Sequence, residues 1–177
     1  VKTLRVYTYG NEVRSVSVEM GKASLNPSEV PVTLAGPTVL DRPVVIGGRE
    51  YRINCVSMGN PHCIVFCDRV DAVDVETVGP QFENADIFPE RVNAEFVRVV
   101  NRRTLKMRVW ERGNGETLAC GTGACAAVVA AVENGYCDAG EDITVKVRGG
   151  DLIVSYTPDG VTLTGETALA FEGVVVC

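Results

Sequence analysis

With 177 residues, 17 Lys plus Arg against 23 Asp plus Glu and a net charge of −6, the chain is the size of one domain. A field of that sign repels nucleic acid and anionic membrane, so neither is an expected partner. The apolar fraction of 46% and mean hydropathy of +0.11 exclude an extended disordered chain, and the longest apolar run, residues 124–132, is too short to span a bilayer.

Val contributes 31 residues, Thr 13 and Ile 6, against 9 Leu, and side chains branched at Cβ favour pleated sheet. Residues 1–20 alternate around Gly10-Asn11 and read as a β-hairpin. The Pro-, Ser- and Gly-rich stretch 21–31 reads as a linker. Strands are expected at 43–46, 50–56 and 62–67. A short helix is expected at 73–82, which Pro80 should end or kink. Strands 93–100 and 104–110 flank the turn Asn101-Arg102-Arg103, and four short strands are expected from Asp142 onward.

One segment breaks the β pattern. Residues 121–134, GTGACAAVVAAVEN, are small and apolar around the whole circumference, and their Ala content favours helix. Thr122 is a candidate cap, and Gly135 can take the left-handed position at the stop. A helix apolar on every side must be buried on every side. The expected fold is therefore α+β, a curved, barrel-like mixed sheet wrapped around a central buried helix.

The densest polar cluster, residues 111–123, joins a strand end to that helix. Cys120 falls at the helix N-terminus, where unpaired N–H groups carry partial positive charge; this predicts a lowered thiol pKa and a site for a carboxylate. Gly121 and Gly123 would let a ligand approach the backbone. A small residue needed for tight packing is the competing explanation of Cys120. His62, the only histidine, stands in Met58-Gly59-Asn60-Pro61-His62. A lone histidine beside an apolar strand is ordinarily a hydrogen-bonded core residue, and Asn60 before Pro61 fits plain turn chemistry. The seven cysteines lie mostly in apolar runs, without Cys-x₂-Cys spacing, and read as free thiols in a reducing, cytoplasmic setting. No metal site is expected.

Ala119-Cys120-Gly121-Thr122-Gly123-Ala124, preceded by Glu111-Arg112-Gly113-x-Gly115-Glu116-Thr117, resembles the second catalytic motif of the diaminopimelate epimerases. Met58-Gly59-Asn60-Pro61-His62 and Arg91-Val92-Asn93 resemble two further motifs of that family, in the same order. The resemblance implies a cofactor-free enzyme that inverts one α-carbon of LL-diaminopimelate to give the meso form, on the lysine and peptidoglycan route. It implies two similar lobes with the active site between them, and two cysteines facing each other across the α-carbon, one a thiolate base and the other a thiol acid. By motif, Cys120 is the second of these. Gly121 and Thr122 would bind the α-carboxylate through backbone N–H groups. Asn60, Asn93, Glu111 and Arg112 would contact the substrate, and His62 and Glu111 would tune the thiol pKa values. Phe171 resembles a position at the homodimer contact of full-length relatives.

The Asn-Gly-x-Arg-Cys stretch that carries the first catalytic cysteine of the family does not occur here. On the resemblance, residues 1–20 and 166–177 are strands of an incomplete first lobe, and 21–165 form the second lobe. The missing first lobe is then the expected partner, and the chain alone should be inactive. A related isomerase of the same architecture, proline-racemase-like or phenazine-pathway-like, is the alternative enzyme; a non-catalytic binding module is the alternative outside enzymes.

Overall fold

The computed structural model describes residues 2–175. Eleven strands form one sheet, with β1 (Leu4–Tyr9), β2 (Glu12–Gly21), β3 (Arg42–Ile46), β4 (Arg49–Ser57), β5 (Pro61–Phe66), β6 (Asn93–Asn101), β7 (Thr104–Glu111), β8 (Gly115–Thr117), β9 (Asp142–Val147), β10 (Gly150–Thr157) and β11 (Gly160–Glu166). Two helices interrupt them, α1 (Val75–Glu83) and α2 (Gly121–Glu133). The spatial order is β1-β2-β11-β10-β9-β7-β6-β5-β4-β3, with β8 paired to β7. All pairings are antiparallel except β5 with β6 and β7 with β9.

Those two parallel pairs explain the layering. Parallel neighbours need a crossover, and each crossover here carries a helix: α1 between β5 and β6, α2 between β7 and β9. Alternate residues of the shared strands then serve opposite faces. Val56, Ile64 and Val97 pack with α2, while Cys55, Cys63, Val65 and Phe96 pack with Val75 and Phe82 of α1. The central strands are apolar without a break because both of their faces are covered.

The helix α2 is buried continuously from Gly123 to Ala131. It touches β4, β5, β6, β7, β9, β10 and β11, so the sheet curves around it. Side chains this small let the surrounding strands approach the helix closely. Gly135, at φ +75°, follows its C-cap Asn134, as the left-handed stop predicts. That end is tied to the sheet: Asn134 Nδ2 donates to Asn54 Oδ1 of β4 at 2.8 Å, and Asn54 Nδ2 donates to Ile64 O of β5 at 3.2 Å.

Three expectations need correction, and a fourth, for Pro80, is narrowed. The cap of α2 is Cys120 and not Thr122: the sulfur of Cys120 accepts the Gly123 N–H at 3.3 Å, while the Thr122 hydroxyl turns toward Asn60. Pro80 does not end α1, which continues to Glu83; the hydrogen bond it forfeits falls on the carbonyl of exposed Glu76, and buried Phe82 anchors the last turn. Three strands, not four, follow Asp142, because residues 167–175 hold no regular element. The stretch 21–31 is not a free linker either. Ser24 bridges to Ser57, and Val30, just beyond a 3₁₀ turn at Pro27–Glu29, is fully buried against the α1 face.

The hairpin 1–20 forms as expected and extends the same sheet through the β2–β11 pairing. It is largely exposed, with Leu4, Val6, Tyr9 and Val13 facing solvent. Phe171 is also exposed, at 84%.

Candidate active site around Cys120

Two turns and one strand meet at the start of α2. The strand β7 ends at Glu111, a tight hairpin through Arg112-Gly113-Asn114 returns as β8, and the chain enters α2 at Cys120. Glu83 of α1 holds that hairpin from below: its carboxylate accepts the Gly113 N–H at 2.9 Å, the Trp110 indole N–H at 2.7 Å and an Arg91 N–H at 3.1 Å. Asn93 ties the hairpin to the Met58–His62 turn. Its Oδ1 accepts the Arg112 N–H at 2.9 Å, and its Nδ2 donates to Pro61 O at 2.8 Å.

Four of the candidate residues, Cys120, Thr122, Asn60 and His62, lie in one chain of contacts. Cys120 Sγ lies 3.6 Å from Thr122 Oγ1; Asn60 Nδ2 donates to that oxygen at 3.2 Å; Asn60 Oδ1 lies 3.1 Å from His62 Nε2. The chain of contacts ends at Glu95, whose Oε1 is 2.7 Å from His62 Nδ1, both side chains being fully buried. His62 is thus a hydrogen-bonded core residue and a member of the cluster at once. Glu111 accepts the Thr117 hydroxyl. Arg112 uses one guanidinium N–H on Glu90 O at 2.8 Å and is half-buried.

Glu95 and Glu83 were not among the candidates. Glu95 sits inside an apolar run, Ala94-Glu95-Phe96-Val97, and an acidic residue in a strand that is otherwise all core is the one signal that marks it.

The thiol is not held as a thiolate. Burial, and then the Glu95 carboxylate, push the Cys120 pKa up to about 11, against the lowering pull of the Thr122 hydroxyl and the Gly123 N–H. The expectation of a depressed pKa is corrected accordingly: the helix start supplies one hydrogen bond, and desolvation outweighs it. Cys120 is only 7% exposed. Burial also raises the Glu95 pKa. The N–H groups of Gly121 and Thr122 belong to the first turn and have no partner within the helix. A cavity of about 740 Å³ lies elsewhere, on the α1 side, lined by Asp41, Tyr51, Arg52, Cys67, Val78 and Tyr136. No helix among the described residues is long and apolar enough to cross a membrane.

The family model described as diaminopimelate epimerase matches residues 54–169, which include every residue of this cluster. The chain belongs to the diaminopimelate epimerase family. It is 46% identical to a diaminopimelate epimerase of Acetivibrio thermocellus over 177 residues, 99% of this chain and 62% of that protein. It is 48% identical to one from Cyanothece sp. over 171 residues, 93% of this chain and 60% of that protein. The chain therefore spans about three fifths of the length of the curated relatives it matches. Among solved structures, a probable proline racemase from Agrobacterium radiobacter K84 superposes with a TM-score of 0.67 at 14% identity, covering 92% of this chain and 54% of that one. A hydroxyproline epimerase from Agrobacterium vitis gives 0.60 at 15%, covering 91% and 52%. At those identities the likeness concerns the fold.

Proposed function

We propose that this chain supplies one side of a two-base, cofactor-independent epimerase site acting on the α-carbon of diaminopimelate, LL to meso. The observation that carries the reading is a nearly buried thiol capping a helix whose next N–H groups, Gly121 and Thr122, have no partner within the helix. In this reading those groups and Arg112 hold the α-carboxylate, which stabilises the charge that develops when the α-proton leaves. In the same reading Asn60 and Glu111 are further substrate contacts, and Asn93 ties the Arg112 hairpin to the Met58–His62 turn.

Inversion needs acid and base on opposite faces, since a single group returns the proton to the face it left. Cys120, a thiol at neutral pH, acts as the acid in one direction; its anion is the base in the reverse direction. The opposing group comes from outside the described residues. Cys55, Cys63, Cys125 and Cys137 are buried in the two cores, and Cys67 lines the distant cavity on the α1 side. In this reading residues 21–165 form the second lobe and the strands flanking them belong to the first.

The test is protection and turnover with the purified chain. LL-diaminopimelate is expected to slow iodoacetamide alkylation of Cys120 selectively, while proline does not. No epimerisation by the chain alone is expected. Turnover by this chain alone would refute the two-sided site, and protection by proline instead would select the proline-racemase-like alternative. Equal alkylation with and without either amino acid would favour a module without this chemistry.

A further inference from the structure

Glu95 is in no motif and makes no hydrogen bond to the Cys120 sulfur, yet it terminates the hydrogen-bonded chain that reaches that sulfur. The proton count along the chain can be read from donor and acceptor types. Asn60 Nδ2 donates to Thr122 Oγ1 at 3.2 Å, which turns Asn60 Oδ1 toward His62 Nε2 at 3.1 Å. An amide oxygen only accepts, so Nε2 must carry a hydrogen. Two arrangements then remain at His62 Nδ1, 2.7 Å from Glu95 Oε1. Either Nδ1 also carries a hydrogen and faces a carboxylate, or it is bare and accepts from a protonated carboxyl. In both, one proton lies between Glu95 and His62, and the pair has no net charge. The other oxygen, Oε2, is buried without a partner among the described residues, which suits a pair that holds a proton rather than an isolated carboxylate.

We propose that Glu95 is a positioning residue that keeps a proton on the His62 ring pair, thereby fixing the Asn60 amide and leaving the Thr122 hydroxyl hydrogen for the Cys120 sulfur. Thr122 Oγ1 accepts from Asn60, so its own hydrogen is available to Sγ, 3.6 Å away. If the pair lost its proton, a bare Nε2 would require the Asn60 NH₂ group. The amide would turn over, Oδ1 would take the Thr122 hydrogen, and the sulfur would lose a donor. The titratable groups that face the pair are Glu111 from β7, Cys120 at the start of α2, and Cys63 on the reverse face of β5. The inference takes from the proposed function only that Cys120 exchanges a proton.

The sole histidine makes the test direct. In the ¹⁵N-labelled chain at neutral pH, the His62 ring is expected to show a hydrogen on Nε2. A bare Nε2 with the hydrogen on Nδ1 overturns the proposal, with no variant needed. Glu95→Gln can still donate to Nδ1, whereas Glu95→Leu cannot. Alkylation of Cys120, followed by peptide mass spectrometry, is expected to be about tenfold slower in Glu95→Leu than in Glu95→Gln, the other thiols being unchanged. Loss of the carboxylate charge alone would affect both variants equally, so equal rates refute the relay. Neither readout requires epimerase turnover, so the relay and the assigned reaction can fail separately.

Discussion

The Gly123 N–H donates to the Cys120 sulfur at 3.3 Å, so the group proposed to exchange the proton is also the N-cap of the buried helix. Chemistry and stability therefore separate by substitution. Cys120→Ser keeps an acceptor at the cap and should retain the unfolding midpoint, whereas Cys120→Ala should lose about 1 kcal/mol. Urea unfolding of the two variants checks this; equal losses would remove the sulfur from the capping role.

At Gly123 the helix comes close to the Glu95 carboxylate. A Cβ there would lie 2.7 Å from Glu95 Oε1 and 3.2 Å from Cys120 Sγ. Gly123→Ala should cost about 1–3 kcal/mol and change the alkylation rate of Cys120 while leaving that of Cys67 alone. Wild-type stability in that variant would mean that the carboxylate moves freely, against its burial.

A similar contact supports the Arg112 hairpin from the other side of the sheet. A Cβ on Gly79 of α1 would overlap the Trp110 ring and lie 2.7 Å from its Cβ, while the Trp110 indole N–H is held by Glu83. Gly79→Ala should destabilise the chain by about 1–3 kcal/mol, measured by thermal or urea unfolding. Tryptophan fluorescence reports the same event, since Trp110 is the only tryptophan.

Alkaline pH should weaken the fold in a defined window. Folding holds the Cys120 thiol at about 11 and Cys125 at about 12, against an ordinary 9.0. The stability these protons represent is fully present below pH 9. It falls as pH rises through the folded values, because the unfolded chain releases protons that the folded chain keeps. The urea midpoint should therefore drop between pH 9 and 11, and Cys120→Ser should flatten part of that slope.

The edge strand β1 carries exposed Leu4, Val6 and Tyr9, and its outer edge has no pairing partner among the described residues. Such an edge recruits other strands. The purified chain should self-associate in light scattering, and Val6→Lys should shift it toward monomer. A strict wild-type monomer would remove this expectation.

The central helix was legible in the sequence because an all-round small apolar segment admits only an interior position. The paired strands 93–100 and 104–110 were legible on either side of the turn Asn101-Arg102-Arg103. The cap was not, because sulfur is an uncommon acceptor and Thr122 is a usual one; what turns Thr122 away is Asn60, 62 residues earlier. The raised thiol pKa was hidden for a related reason, since it depends first on burial and then on the Glu95 carboxylate, 25 residues earlier in the chain. Glu95 itself gave a faint signal, a charge in an apolar run. A fourth strand was expected after Asp142, but beyond Thr167, whose N–H donates to Arg14 O of β2 at 3.1 Å, the described residues past Glu166 form no regular element.

The helix α2 is fastened at both tips, through Asn60 and Thr122 at its start and through Asn134 and Asn54 at its finish. It cannot slide along its axis without parting from β4 and the β4–β5 turn. Cys120 consequently travels with these strands as one rigid block, and a motion that covers or uncovers its sulfur has to come from elements outside that block.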